Sequence, residues 1–458
     1  MLRVYTLLIL LGMFVPFCDS RKPKAMVRIN QKALDSVGDE GRKALKAALK
    51  TELPDFVDPQ ESESQYTPNA ILDSDVSDFS LKFIPDYGIR LSAAGYVMLK
   101  YASLIANHQK IKVSVNITGD ISVTQASIGS PFLGVSLCKT TTGEITVAYG
   151  EDRLKELWKP LQKYIEITLP EKICLRLSSM IERLNIFMGT LLGLHPLGPE
   201  TQISYSLTQL PTFTKDYMSL IVNTTLYLLG KPIVLPPHEY SLTLAQEVGS
   251  KNAMVSFVIS EDLLDSIFFL MQKSGSVNLD ITGQLNSKDN QLTTSVLGKL
   301  IPEVLRQFPK SMPIVVKARI NASPISMIHK NGTSILFSYL LEVLVVSSNS
   351  AFKSLFSLDM NVELNLNIIL SGVKLQANAS LLKDINLKVT SSNVGAFDLS
   401  KVKPLITSVV KKPLLDHLNA LFDLGAILPT IAQVGYIKPQ VSTYEGYFVL
   451  SCELHFQK

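Results

Sequence analysis

Residues that could carry out covalent or metal chemistry are sparse in this chain of 458 residues. Its six histidines are scattered, and no two lie within five positions of each other. The sequence contains no G-x-S-x-G, H-E-x-x-H, G-x-x-x-x-G-K or C-x-x-C motif. Asp416 and His417 are adjacent, but neighbouring residues of a helix point to different faces. We therefore predict no catalytic residues, no metal site, no cofactor and no enzymatic activity.

The cysteines favour disulfide chemistry, because the chain begins like a secreted protein. Arg3, an apolar stretch from Tyr5 to Phe17 and small residues before Arg21 form the pattern of a signal peptide over residues 1–20. The apolar stretch is shorter than the roughly 20 residues that span a bilayer. We therefore expect a secreted, extracellular protein without a transmembrane anchor.

Removal of the signal peptide takes Cys18 away and leaves Cys138, Cys174 and Cys452. An oxidising compartment favours one bridge and one leftover thiol, and spacing alone allows three pairings. Cys452 alternates in phase with apolar neighbours such as Leu450, which predicts a buried, inert thiol.

Sequons for N-glycosylation agree with the secretory route. The acceptors are Asn116, Asn223, Asn321, Asn331 and Asn378. Asn116 and Asn378 fall in the polar phase of predicted strands, so a glycan there stays outside the core.

Composition excludes several classes of protein. The chain is 46% apolar and 18% charged, which excludes a disordered chain and allows a large buried volume. Its 44 basic and 40 acidic residues leave a net charge of +4. The segment from Arg21 to Tyr240 carries 24 basic and 23 acidic residues, and the rest is similarly balanced. We therefore expect no binding to nucleic acid.

Two periodicities indicate sheets and helices. Period-two alternation predicts antiparallel strands over Ile111–Thr118, Ile203–Thr208, Val277–Thr282, Val362–Leu370, Val373–Leu381 and Tyr444–Phe456. Helical spacing predicts helices over Arg28–Leu53 with Asn30 as its cap, Cys174–Leu194, Ser260–Ser274, Val296–Phe308 and Pro413–Leu424. Large sheets curled around such apolar helices can enclose a cavity for a hydrophobic ligand, or the helices can fill the sheets completely.

Several longer stretches resemble one family. L-L-G-L-H-P-L-G-P-E-T-Q-I-S-Y-S at 191–206 and L-L-G-K-P-I-V-L-P at 228–236 are two of them. Others are L-D-I-T-G-Q-L at 279–285, L-I-P-E-V-L-R-Q-F-P at 300–309, S-N-S-A-F-K-S-L-F-S-L-D at 348–359, K-P-L-L-D-H-L-N-A-L at 412–421 and Y-E-G-Y at 444–447. The mature chain resembles the BPI/LBP/CETP/PLUNC superfamily along essentially its whole length.

The resemblance implies an α+β boomerang of two elongated barrels joined by a central sheet. We expect an N-terminal barrel over 21–229, a proline-rich connector over 230–240 and a C-terminal barrel over 241–458. The family disulfide falls on Cys138 and Cys174. The pockets of the family have no motif, so lining residues are taken from the apolar helices. They are Leu184, Phe187, Leu191, Phe268 and Leu421.

The resemblance also implies a function, which is the binding of lipid acyl chains in these pockets, in innate defence at mucosal or secretory surfaces. The partners expected are phospholipid-like lipids and, weakly, bacterial surface lipids, because the N-terminal half lacks the concentrated basic surface of endotoxin-binding relatives. Two alternatives are recognition of bacterial surfaces by the exterior of the protein, and a secretory-fluid protein with vestigial pockets.

Overall fold

A computed structural model of the protein describes residues 25–54, 69–101, 109–127, 129–147, 158–235, 252–282, 292–346, 351–429 and 434–456. The predicted signal peptide and residues 236–240 of the predicted connector lie outside these ranges. The predicted domain limits therefore stay a prediction.

The elements of the N-terminal half follow one another in this order. They are β1 (Ala25–Asn30), α1 (Gln31–Ser36), α2 (Gly38–Leu49), β2 (Glu52–Leu53), β3 (Asn69–Ile84), β4 (Gly88–Tyr101), β5 (Gln109–Gln125), β6 (Pro131–Val147), α3 (Trp158–Met188), a 3-10 turn (Gly189–Leu192), β7 (His195–Gly198), β8 (Thr201–Leu207), β9 (Thr212–Phe213), β10 (Tyr217–Leu228) and β11 (Lys231–Pro232).

The C-terminal half continues with a second series. It consists of β12 (Val255–Ser260), α4 (Glu261–Ser274), β13 (Leu279–Thr282), α5 (Thr294–Gly298), α6 (Pro302–Gln307), β14 (Ile314–Ile320), β15 (Ile325–His329), β16 (Gly332–Val346), β17 (Phe352–Ser371), β18 (Lys374–Leu381), β19 (Asn386–Ser392), α7 (Leu399–Leu424), β20 (Ala426–Ile427), β21 (Val434–Tyr444) and β22 (Tyr447–Phe456).

The strands form three antiparallel sheets. The N-terminal sheet has the order β2-β3-β4-β5-β6, and the C-terminal sheet the order β13-β14-β16-β17-β18-β20 with β15 on β16 and β19 on β17. The central sheet, β21-β22-β12-β1-β10-β8-β7 with β9 and β11 on β10, takes strands from both ends of the chain. The N-terminal sheet with α2 and α3, which we call the N-terminal unit, and the C-terminal sheet with α4 and α7, which we call the C-terminal unit, share one central sheet. This confirms the predicted α+β architecture.

The period-two prediction is confirmed where it is clearest in the sequence. In β5, Ile111, Val113, Val115 and Ile117 are all buried, whereas Lys112 and its in-phase neighbours are exposed or half-buried. The buried face of β5 packs on α3, and the solvent-facing side carries the polar residues, as expected of an antiparallel sheet with one covered side.

The two longest helices are buried along stripes with a period of four. The buried residues of α3 are Leu161, Ile165, Leu169, Ile173, Leu177 and Ile181, and those of α7 include Val402, Ile406, Val410, Leu414, Leu418 and Phe422. A period of four drifts by about 40° per step against a helix of 3.6 residues per turn. The apolar stripe therefore winds around each helix, and the sheet that covers it must curl with the stripe.

Both long helices begin earlier than the sequence predicts. Helix α3 starts at Trp158 rather than Cys174, and α7 starts at Leu399 rather than Pro413. Pro170 and Pro413 lie inside these helices. An internal proline costs about 3 kcal/mol, but the apolar stripe continues on both sides of each one, so burial outweighs the local penalty.

Two further helix predictions are wrong in extent. Residues 28–30 of the predicted helix over Arg28–Leu53 belong to β1, and its last two residues form β2. The part between them divides at Val37 into α1 and α2, which ends at Leu49. The side chain of Asn30 does not cap the helix but donates to the carbonyl of Ala253 at 2.8 Å, which links the end of β1 to the residues before β12. The predicted helix over Val296–Phe308 consists of the two short helices α5 and α6, because Pro302 starts a new one.

Candidate functional site

A large apolar cavity lies where the N-terminal unit meets the central sheet. Its volume is 320 Å³. An apolar cavity of about 150 Å³ can stay dry and bind a benzene-sized molecule, and ligand pockets start at about 300 Å³. The walls come from β1, α1, the N-terminal sheet, the end of α3, the central sheet and the segment before β21. Typical lining residues are Val27, Leu34, Phe83, Leu184, Tyr205 and Tyr436.

The lining of the cavity presents carbon to its interior. None of the described residues that line it carries a charge. Tyr205 donates its hydroxyl to the carbonyl of Ile427 at 2.5 Å, and Tyr436 donates to the carbonyl of Pro429 at 2.5 Å. Burial raises the pKa of the Tyr205 hydroxyl, so it stays protonated. Both polar atoms are satisfied by backbone, which leaves the aromatic rings as apolar walls.

The cavity reaches solvent at the end of α3. Leu184 lines the cavity and is nevertheless 42% exposed, whereas most strand residues on the opposite wall are buried. Met188, one turn further along α3, also lines it. Because Leu184 is the most exposed of the described lining residues, we place the opening at the last turns of α3.

A second apolar cavity lies in the C-terminal unit and is much smaller. Its volume is 60 Å³, and it is bounded by α4, α7, β17, β18 and Leu197 of β7. Phe268 packs edge to face against both Phe337 and Phe422, with ring centroids 6.1 and 5.8 Å apart. Aromatic side chains therefore contribute to the packing around this small cavity.

The predicted lining residues divide between the two cavities. Leu184 lines the large cavity, and Phe268 and Leu421 line the small one. Phe187 is half-buried on α3 but lines neither cavity. Leu191 lies in the 3-10 turn, and its side chain is outside the described part of the chain.

Sequence reasoning missed the strand residues of the large cavity. Val27, Tyr205, Leu207, Leu220 and Val222 stand in the apolar phase of β1, β8 and β10. The alternation therefore marked their face as dry. It could not show which part of the dry face stays unfilled, since that depends on the packing of all three layers.

The predicted disulfide is present in the structure. Cys138 of β6 and Cys174 of α3 are bonded, with their Cα atoms 5.7 Å apart. Cys452 is free and buried, as predicted, and burial raises the pKa of its thiol to about 12. The bridge fixes α3 to the edge strand of the N-terminal sheet.

The predicted glycan acceptors differ in their accessibility. Asn116, Asn321, Asn331 and Asn378 are exposed. Asn223 is half-buried in β10, and its side-chain oxygen accepts from the backbone N–H of Thr224 at 3.0 Å. Occupancy of all five stays a prediction.

The basic face of α2 is matched by carboxylates. Lys43 pairs with Glu40 at 2.8 Å, and Arg42 lies 3.8 Å from Asp39. Lys46 and Lys50 lie 3.7 and 3.6 Å from Asp75 and Asp73 of β3. The face is therefore a mixed, solvated surface rather than a concentrated cationic patch.

His417, which the sequence places next to Asp416, has a structural role. His417 places Nε2 2.7 Å from the carbonyl oxygen of Ser276, so it ties α7 to the loop after α4.

Within the described ranges, no three side chains of His, Cys, Asp or Glu are grouped to hold a metal ion. In the same part of the chain, no helix is long and apolar enough to span a membrane.

Comparisons with known proteins agree with this architecture. Residues 33–184 match the LBP / BPI / CETP family, N-terminal domain, and residues 198–456 match the C-terminal domain of that family. The chain is 42% identical over 450 residues to human BPI fold-containing family B member 2, covering 98% of each protein. It is 41% identical over 437 residues to the mouse protein of that name, covering 95% of this chain and 94% of the other.

A solved structure shows that the resemblance extends to the fold. The crystal structure of lipopolysaccharide binding protein matches with a TM-score of 0.63 at 18% identity. The match covers 95% of this chain and 100% of that one.

Proposed function

This chain belongs to the LBP/BPI/CETP family, and from that premise we propose that it binds lipids by burying their acyl chains in the large cavity. The observation that carries the proposal is a 320 Å³ space whose described lining holds no charged side chain. Apolar surface that leaves water gains about 25 cal/mol per Å². An acyl chain in this cavity would therefore be held by area and shape rather than by polar contacts.

We further propose that the preferred lipids are neutral or zwitterionic. The opening beside Leu184 leaves the headgroup in solvent, because the wall offers it no charged partner. The basic residues on and just after α2, Lys43, Lys46 and Lys50, already face carboxylates. An anionic headgroup that docked on this surface would thus compete with existing ion pairs, and bacterial surface lipids would bind weakly.

The biological role we propose is lipid sequestration in a secreted fluid, in innate defence at mucosal or secretory surfaces. The signal-like segment at residues 1–20 supports secretion, as do the exposed sequons. Removing a free lipid from water requires binding but no chemical step, so the proposed mechanism is not enzymatic.

Lipid extraction tests this function directly. Protein purified from its native secretion is analysed by native mass spectrometry before and after extraction, together with the variants Leu184→Lys and Ile186→Lys. Leu184 lines the cavity, whereas Ile186 is 74% exposed on the same helix and lines neither cavity. We expect bound lipid in the wild type and in Ile186→Lys, and a severalfold loss in Leu184→Lys.

The second candidate function, a secretory-fluid protein with vestigial pockets, is favoured by one observation. The cavity of the C-terminal unit measures only 60 Å³ and is closed by aromatic pairs. Lipid-free protein from the native secretion, with no uptake when lipid is offered, would establish this alternative. Bacterial binding that survives delipidation and the Leu184→Lys change would instead indicate recognition by the exterior.

A further inference from the structure

Asn185, near the end of α3, holds the free edge of β6 with its side-chain amide. Its Oδ1 accepts from the backbone N–H of Leu133 at 2.7 Å, and its Nδ2 donates to the carbonyl of Leu133 at 2.9 Å. Because β6 is the last strand of the N-terminal sheet in the described part of the chain, these backbone groups have no neighbouring strand there to pair with. At Leu133, the side chain of Asn185 thus makes the two hydrogen bonds that a neighbouring strand would make.

The C-terminal unit contains the same arrangement. Asn419 of α7 accepts from the N–H of Ala379 at 2.7 Å and donates to its carbonyl at 3.1 Å. Ala379 lies in β18, beyond the two residues of that strand that pair with β20. We call each of these paired hydrogen bonds, Asn185 with Leu133 and Asn419 with Ala379, an amide latch.

Each amide latch lies beside a cavity. Leu133 lines the large cavity, as does Leu184, the residue before Asn185. Ala377 and Leu421 line the small cavity, each two residues from a member of the second latch. The line along which α3 meets β6, which we call the α3–β6 seam, therefore forms part of the wall of the large cavity.

Two ties of different strength cross the α3–β6 seam. The Cys138–Cys174 disulfide is covalent and lies away from the opening. The amide latch is non-covalent, involves a half-buried side chain and lies at the opening. Thermal motion can break a pair of hydrogen bonds whose net contribution is about 1 kcal/mol each, whereas it leaves the disulfide intact.

We propose that the Asn185 latch controls the passage of acyl chains, which enter and leave the large cavity sideways through the α3–β6 seam. This inference rests on the proposed lipid-binding function. Asn185 is a positioning residue, because its partner Leu133 and the preceding Leu184 line the cavity but Asn185 itself does not. The latch thus sets how fast a lipid exchanges and leaves the affinity almost unchanged.

The test measures stopped-flow uptake and release of a lysophosphatidylcholine with a pyrene-labelled acyl chain, below its micelle concentration. The full chain is compared with Asn185→Ala and two controls. Ile186→Ala alters the adjacent, exposed residue. Asn419→Ala removes the same kind of latch beside a cavity of only 60 Å³, which is too small for the probe. Hydrogen exchange at the Leu133 amide reports whether the first latch has opened.

We expect Asn185→Ala to speed both uptake and release roughly thirtyfold, as the loss of the two hydrogen bonds of the closed state predicts. The equilibrium Kd should stay within about twofold, and both controls should match the wild type. Rates equal to the controls, with the Leu133 amide exchanging faster, would overturn the latch and leave the lipid function standing.

Two other outcomes are equally decisive. A weaker Kd with an unchanged uptake rate would mean that Asn185 only stabilises the fold, which also overturns the latch. No uptake by the wild type would refute the proposed lipid function, and the role of the latch with it.

Discussion

Phe268 meets Phe422 edge to face, with ring centroids 5.8 Å apart, and this contact joins α4 to α7 across the small cavity. The large cavity, where the N-terminal unit meets the central sheet, has a volume of 320 Å³. The two cavities therefore differ in how completely side chains fill them.

Removing the Phe268 ring should convert the small cavity into a second binding site. Phe268→Ala is expected to cost about 3–5 kcal/mol of unfolding free energy, as for other buried phenylalanines. The enlarged cavity should bind a benzene-sized ligand, seen as a rise in melting temperature with added benzene, because an apolar cavity of about 150 Å³ can do so. Phe269→Ala is the matched control, because Phe269 is half-buried on the same helix and does not line the cavity. No benzene-dependent rise in the melting temperature of folded Phe268→Ala would contradict the prediction.

The disulfide should account for a substantial part of the stability of the N-terminal unit. It closes a loop with a sequence separation of 36 residues, for which the chain-entropy model gives roughly 4 kcal/mol. Cys138→Ala should therefore lower the denaturant midpoint and loosen α3, whereas Cys452→Ala should have a smaller effect. Peptide mapping without reduction checks the pairing, and a bridge that involves Cys452 would show the assignment to be wrong.

The extent to which this fold can be read from the sequence differs between strands and helices. Strand faces were predictable because alternation is local, as Ile111 and Val113 illustrate. The start of α3 was not, because Pro170 looks like a helix breaker until the stripe from Leu161 to Ile181 is seen to continue through it. The stripe is buried by the sheet that curls around it, and that sheet cannot be recognised from the local sequence of the helix.

The candidate site was predictable only in part, for a related reason. Leu184 was found because it lies on an apolar helix, whereas Tyr205 and Tyr436 lie on strands distant in sequence and meet only in the fold. The pairing of Cys138 with Cys174 came from family resemblance, because spacing allows three alternatives. A cavity is volume that packing leaves empty, and no local pattern encodes it.

One ion pair should make stability depend on pH. His329 places Nδ1 3.0 Å from Oε2 of Glu445, so it joins β15 to the turn between β21 and β22. The hydrogen bond raises the pKa of His329 above its usual 6.5 and lowers the pKa of Glu445 below its usual 4.5. The histidine contribution is complete below pH 6.5 and lost as pH rises through the folded pKa. The glutamate contribution is present above pH 4.5 and lost on acidification.

The pair is therefore most stabilising between these two pH values. The difference in melting temperature between the wild type and His329→Gln should be small but largest between pH 4.5 and pH 6.5, and should be lost as the pH rises through the folded pKa of His329. Glu445→Gln should give the same profile. A difference that does not change with pH would exclude the ion pair as its cause.

Binding to lipopolysaccharide should be weak and sensitive to salt. The ion pairs on α2 leave little unmatched positive charge, and exposed charges are screened over about 8 Å at physiological salt compared with about 30 Å at 0.01 M. Titration at the two salt concentrations should show affinity falling at least tenfold. Tight binding that persists at physiological salt, and is lost when Arg42, Lys43, Lys46 and Lys50 are neutralised, would contradict this prediction.

Photo-crosslinking tests the central claim most directly. A phosphatidylcholine with a diazirine at the end of one acyl chain is loaded into the protein and irradiated, and the modified residues are mapped by mass spectrometry. We predict adducts on residues that line the large cavity, such as Val27, Leu220 and Tyr436, and their loss in Leu184→Lys but not in Ile186→Lys. Adducts confined to exposed surface residues, or the same adducts in Leu184→Lys, would contradict the claim that this cavity holds the acyl chain.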